Sequence, residues 1–99
     1  IPMGKFILTN KAVEDLGDIW KYTLDRWSEQ QADKYYQNLL DACQEAADDP
    51  RLGKKYEGIR SELNGVQVMK RVLLFRIVDR DNIETSRILH ERMDLKGRI

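Results

Sequence analysis

Most of the side chains able to bind or move charge in a concerted way lie in the last third of the chain. Arg71-Val-Leu-Leu-Phe-Arg-Ile-Val78 is followed by Asp79-Arg-Asp-Asn82, and then by a run from Ile83 to Leu89 that ends in His90, Glu91, Arg92, Met93 and Asp94. This pattern reads as an apolar strand, a polar turn, a second strand and an abruptly polar ending. If Val78 pairs with Ile83, then Arg76 faces Thr85, Leu74 faces Arg87 and Arg71 faces His90. Arg76 and Arg87 become diagonal neighbours on one face, roughly 7–8 Å apart, while Arg71 and His90 share the other. A one-residue slip would undo that arrangement. Two guanidinium groups so close call for an anion: a carboxylate from the chain's own helices, an acid of a partner, or a phosphate.

Other chemistries find little support. His90 is the one histidine and Cys43 the one cysteine, too few for a zinc site, and His90 reads first as a structural hydrogen-bonder. A Gly-rich phosphate loop, a Cys/His pair at motif spacing and a serine-nucleophile signature are all missing from the sequence. No cofactor is implied.

The elements that must position these groups follow from hydrophobic period. Lys5 to Thr9 is a short strand-like run, and either Thr9 or Asn10 can cap the helix that follows. Val13, Leu16, Trp20, Leu24 and Trp27 recur at three- and four-residue intervals, with Ala12 and Ile19 widening the stripe, so the spacing predicts an amphipathic helix of about four to five turns. Within it Gly17 either admits another backbone or is simply tolerated. Glu14, Asp15 and Asp18 read as its solubilising N-terminal face.

Ser28 with Gln31 forms a capping box and starts a second helix directly after Trp27. Ala32, Tyr35, Tyr36, Leu39, Ala42, Cys43 and Ala46 supply its stripe, and Asp49-Pro50 ends it. So short a connection makes the two helices a hairpin. Tyr56 to Leu63 reads as a strand, Asn64-Gly65 as a tight turn, and Val66 to Val78 as one strand. The expected fold class is therefore α+β: an N-terminal strand, an α-helical hairpin packed on a small antiparallel sheet, and a short C-terminal tail. Both faces of the sheet are apolar, so the sequence leaves open which one the helices cover.

Bulk properties bound the rest. At 99 residues the chain is one small domain that buries roughly 60–65% of its unfolded surface. Residues 1–4 read as a remnant of the expression vector ahead of a single domain at 5–99. Seventeen basic and seventeen acidic residues cancel, which removes the long-range field of a dedicated nucleic-acid binder. No apolar run approaches the ~18–20 residues of a membrane span, and a lone cysteine fits a reducing cytoplasm.

Leu8-Thr-Asn-Lys-Ala-Val-Glu-Asp-Leu16, Ile19, Tyr22-Thr23, Trp27, Gln31-Ala32, Tyr35-Tyr36, Leu74-Phe75-Arg76 and Arg87-Ile-Leu-His-Glu-Arg-Met-Asp94 occur in the order seen in ParE toxins. The chain resembles that branch of the RelE/ParE superfamily over essentially everything after residue 4. The resemblance implies the toxin of a type II toxin–antitoxin pair, of the kind associated with plasmid stabilisation, that poisons DNA gyrase by protein contact and has no enzymatic activity. It also implies a ParD-like ribbon-helix-helix antitoxin that neutralises the toxin in a hetero-oligomer. Arg76, Arg87, His90, Arg92, Met93 and Asp94 are then the candidate gyrase contacts, and Trp20, Trp27 and Tyr35 the candidate antitoxin contacts, together with the neighbourhood of the last strand. Two alternatives remain: a RelE-type ribosome-dependent mRNA interferase, and a divergent non-toxic binding module. Against the interferase, the last tyrosine is Tyr56, whereas that branch commonly carries one at its C-terminus.

Overall fold

The computed structural model describes residues 4–55, 60 and 62–91. Strand β1 (Lys5–Leu8) leads into helices α1 (Asn10–Arg26) and α2 (Glu29–Asp48), and a short 3-10 turn (Pro50–Leu52) follows. Strands β2 (Asn64–Val68), β3 (Arg71–Asp79) and β4 (Asn82–His90) complete the order. The sheet runs β1-β4-β3-β2. β3 runs antiparallel to both of its neighbours, β2 and β4, as expected, but β1 joins β4 in parallel, which makes the sheet mixed.

The hairpin of helices forms where capping chemistry places it. Thr9 caps α1 by accepting from the Ala12 amide, and Ser28 caps α2 by accepting from Gln31. Only Trp27 and Ser28 separate the helices, so they must run antiparallel. The stripe of α2 is buried along Ala32, Leu39, Ala42, Cys43, Ala46 and Ala47, and the small residues at its end pack against the sheet.

The stripe of α1 is rotated from the expected one. Ala12, Leu16, Ile19 and Thr23 are buried, whereas Val13 is 53% and Trp27 75% exposed. Thr23 occupies a core position because its hydroxyl donates to the Ile19 carbonyl at 2.8 Å, which removes the cost of burying it. Trp27 lies beyond the helix, in the link.

Two strand boundaries also differ. Asn64-Gly65 lies inside β2, and the reversal occurs at Met69-Lys70, splitting the Val66–Val78 run into two strands. Met69 takes a positive φ of 56°, as the first loop residue of a type II′ hairpin requires. Gly65 instead lets a second segment approach: its N–H and C=O pair with Lys54 at 2.8 and 3.0 Å. The expected strand at 56–63 falls mostly outside the described residues, as does the expected tail.

The helices cover the face carrying Leu73, Phe75, Ile83 and Ile88, which form one core with Leu16, Ile19, Leu39 and the small residues of α2. Val72, Leu74 and Leu89, outside that cluster, are buried too. Within the core the Thr85 hydroxyl donates to Cys43 Sγ at 3.5 Å. Burial pushes the Cys43 thiol up, and the Thr85 bond opposes the shift in part.

Gly53 sits where no side chain fits, since a Cβ there would meet Phe75 Cζ at 2.6 Å and Asn64 Cβ at 2.9 Å. Gly53→Ala should therefore destabilise the protein by about 1–3 kcal/mol, read as a lower urea midpoint with an unchanged slope.

Candidate functional site

The β3–β4 hairpin keeps the expected register at both ends and loses it in the middle. Arg71 pairs with His90, and Leu74 with Arg87, but Ser86 is then skipped on β4 and Val78 on β3. Between these two bulges the strands are offset by one residue. Arg76 consequently faces Glu84 rather than Thr85, and Thr85 turns inward opposite Phe75. The shift supplies Arg76 with its own carboxylate: Nε donates to Glu84 Oε1 at 2.9 Å and Nη2 to Oε2 at 3.5 Å.

Arg87 is held differently. The chain leaves β1 at Thr9, whose N–H donates to the Thr85 carbonyl at 3.1 Å and whose hydroxyl donates to that of Ser86 at 2.8 Å. Past this point β4 has no strand on its β1 side, and α1 takes over the edge. Asp15 of α1 accepts from the Ile88 amide at 2.9 Å, from Arg87 Nε at 2.8 Å and from Arg87 Nη2 at 3.0 Å. One carboxylate thereby satisfies an open strand edge and clamps a guanidinium in a fork.

Exposure ranks the two pairs. The side chains of Arg87 and Asp15 are 19% and 13% exposed, those of Arg76 and Glu84 43% and 24%. Losing one partner of a surface pair costs little, whereas breaking a shielded, hydrogen-bonded pair leaves a charge uncompensated away from water, so the Asp15 clamp is the structural pair. Both guanidinium groups are raised above their ordinary value, first by the hydrogen bond to their acid, and stay charged throughout.

Of the six candidate target-contacting residues, Arg76, Arg87 and His90 lie on this hairpin, while Arg92, Met93 and Asp94 lie outside the described residues. Arg76 and Arg87 do not act as one diagonal pair, because each is tied to a different acid. Sequence reasoning missed both acids. Asp15 had a signal: it lies three residues after Ala12 and four before Ile19, on the buried stripe itself.

The helical hairpin carries the other candidates. Trp20 Nε1 donates to Asp33 Oδ1 at 2.9 Å, joining α1 to α2. Gly17, Trp20, Lys21, Asp33, Tyr36 and Gln37 line a groove of about 480 Å³. A Cβ built at Gly17 meets nothing within 4 Å, so no backbone among the described residues explains that glycine. Toward the tip, Tyr35 lines a second hollow with Thr23, Trp27 and Gln31, and Arg26 stacks over the Tyr22 ring at 4.5 Å. The neighbourhood of the last strand also belongs to the expected antitoxin surface. β4 is an inner strand with its free edge under α1, and the sheet's edges are β1 and β2.

Helices paired on one face of this sheet, with aromatic groups left at the hairpin surface, make an α+β fold that solved structures share. The toxin–antitoxin ParDE system of P. aeruginosa aligns with a TM-score of 0.74 at 18% identity, covering 91% of this chain and 98% of that one. The RelBE2 toxin–antitoxin complex of Mycobacterium tuberculosis aligns with a TM-score of 0.65, also at 18% identity, covering 91% and 99%. In sequence, the family described as "ParE toxin of type II toxin-antitoxin system, parDE" matches residues 6–95. Toxin ParE1 of M. tuberculosis is 33% identical over 92 residues, 93% of this chain and 94% of that protein. Toxin ParE1 of Caulobacter vibrioides is 29% identical over 97 residues, 98% and 99%. The chain belongs to the ParE toxin family of type II toxin–antitoxin systems. Among the described residues, no helix is long and apolar enough to cross a membrane.

Removing the Asp15 carboxylate takes the countercharge from a largely shielded Arg87 and the acceptor from the Ile88 amide. Asp15→Ala should lower the unfolding free energy by about 2–4 kcal/mol, and Asp15→Asn, which keeps an acceptor for Ile88, by roughly half as much. A double-mutant cycle with Arg87→Ala, followed by urea unfolding, should return most of the loss as coupling between the two.

Proposed function

We propose that this toxin acts in the cytoplasm by binding DNA gyrase through protein contacts, without catalysis, and that a ParD-like ribbon-helix-helix antitoxin neutralises it in a hetero-oligomer. The observation that supports a contact mechanism most directly is the internal pairing of Arg76 with Glu84 and of Arg87 with Asp15. An RNA cleaver needs cations free to meet a developing phosphorane charge, and a general acid and base beside them. Arg76, Arg87 and His90 could furnish part of such a set, but the two arginines instead have their charge met by acids of the same chain. Hydrogen-bonded pairs of this type present a rigid polar surface, suited to complementarity with a protein.

For the antitoxin, the hairpin groove and tip supply what a folding-on-binding segment uses: aromatic anchors, an apolar floor and one position where backbone can come close. Trp20, Trp27 and Tyr35 are the anchors in this reading. Arg92, Met93 and Asp94 remain part of the proposed gyrase surface with Arg76, Arg87 and His90.

Gyrase supercoiling and a translating ribosome extract separate the mechanisms. Wild-type protein should block or trap gyrase and leave messenger RNA intact; codon-placed cuts with active gyrase would establish the interferase reading instead, and silence in both a binding module. Arg76→Ala, whose side chain sits at the surface, should weaken gyrase inhibition about three- to tenfold while the fold persists. Arg87→Lys is the companion substitution, since Arg87→Ala would also loosen α1 from β4.

Gly17→Ala tests the antitoxin surface with opposite signs in two assays. It should stabilise the free toxin by up to ~1 kcal/mol, because the glycine is helical and unhindered. The added methyl should at the same time weaken antitoxin binding measured by calorimetry. Equal or tighter binding would move the antitoxin off this groove.

A further inference from the structure

A second cleft, between α1 and the far end of the β3–β4 ladder, contains an arginine with one shielded N–H that the described residues do not match. Asp15, Asp18 and Ile19 of α1 face Arg71 of β3 and Arg87 of β4 across about 200 Å³. Asp15 and Arg87 neutralise each other there through their fork. Arg71 is in a different condition. Among the described residues its Nε is closed off from solvent with no hydrogen-bond partner, and the ion pairs do not include it. Asp18 shares the cleft, yet does not reach Arg71. A shielded N–H of a charged group left unmatched is costly, and such groups usually mark a ligand or a working site.

We infer that this cleft receives one carboxylate, the side chain of an aspartate or glutamate presented by a protein partner, and that Arg71 is the residue that holds it. The guanidinium edge formed by Nε and a terminal nitrogen matches a carboxylate fork, as Arg87 demonstrates against Asp15 one strand away. Volume favours a side chain over a nucleotide. Charge favours a monoanion: Asp15 and Asp18 line the same space, and their repulsion grows with the charge of the guest, so a phosphate is disfavoured relative to a carboxylate. The balanced charge of the chain provides no field to draw in a polyanion. Because Nε is covered, the guanidinium must turn or a neighbour must yield before the fork can close, so the site completes itself on binding. Asp18 at the cleft keeps free carboxylates weak, whereas an acid carried by an already docked protein gains effective concentration and enters. The inference requires only that the partner be a protein, and stands apart from which protein the toxin poisons.

The test uses the intact protein and acetate as the probe, followed by NMR at the Arg71 Nε–H and the Ile88 and Leu89 amides at fixed ionic strength. Acetate should shift these signals saturably, half-saturating at roughly 10–100 mM, with chloride inert and inorganic phosphate weaker than acetate. Arg71→Lys, which keeps charge and stem but loses the fork, should abolish the saturable shift. Asp18→Asn, at an exposed position, should tighten acetate by about two- to fivefold. A linear, unsaturated response to acetate, or an unchanged response in Arg71→Lys, would overturn the assignment. Tighter binding of phosphate would overturn it as well and point to a nucleic-acid backbone as the guest.

Discussion

The structure depends on a single crossing, where the chain leaves the sheet at Thr9 and α1 passes over the edge of β4. A four-residue strand can pair only part of a nine-residue one, and the remaining amides of β4 must be satisfied some other way. Thr9 closes the corner by bonding Ser86 with its hydroxyl while capping α1. Asp15, about one and a half turns into the helix, then takes the Ile88 amide and the Arg87 guanidinium. The same few atoms orient α1, terminate the parallel pairing and fix the position of an arginine. Helix and strand are therefore locked by polar bonds at the rim, while Leu16, Ile19, Phe75 and Ile88 provide the apolar association beneath.

That division of labour explains how so small a domain can afford a charged surface. The two bulges in the β3–β4 hairpin matter here. By skipping Ser86 and Val78 they swap Thr85 for Glu84 opposite Arg76. The inward threonine is matched by Cys43 and the outward arginine by an acid. Without the offset, Arg76 would lie against a threonine and Glu84 would face an apolar residue. The compensation of one bulge by the other also returns the strands to register at the turn, where Asp79 accepts from the Asp81 amide and from Asn82 Nδ2.

Period and capping made much of this legible. The two helices, the cap at Ser28, a first cap at Thr9 or Asn10, the Asp49-Pro50 stop and the Arg71–His90 and Leu74–Arg87 pairs could all be read from residue order. The bulges could not, because an alternation broken by one residue is indistinguishable from a strand apolar on both faces, as β3 is. Asn64-Gly65 misled for a related reason. The pair is a strong turn signal, but here the small residue serves a close approach by Lys54, and Met69 accepts the unfavourable φ instead. Asp15 was hidden by its neighbours, since Glu14 and Asp18 make an acidic helix face look uniformly solvated although one of the three lies on the buried stripe.

Arginines in this hairpin illustrate why residue type alone does not give chemistry. Arg76, Arg87 and Arg71 sit on adjacent strands, yet the first is paired at the surface, the second is clamped under a helix, and the third has an unmatched Nε. A guanidinium already forked to a carboxylate can present structure but has little charge left to offer an incoming anion. One with an unmatched edge retains it. The capacity to recognise an acid thus passes from the conspicuous Arg76 and Arg87 to the inconspicuous Arg71, and what decides the transfer is the placement of two carboxylates, Glu84 by a bulge and Asp15 by a helix crossing.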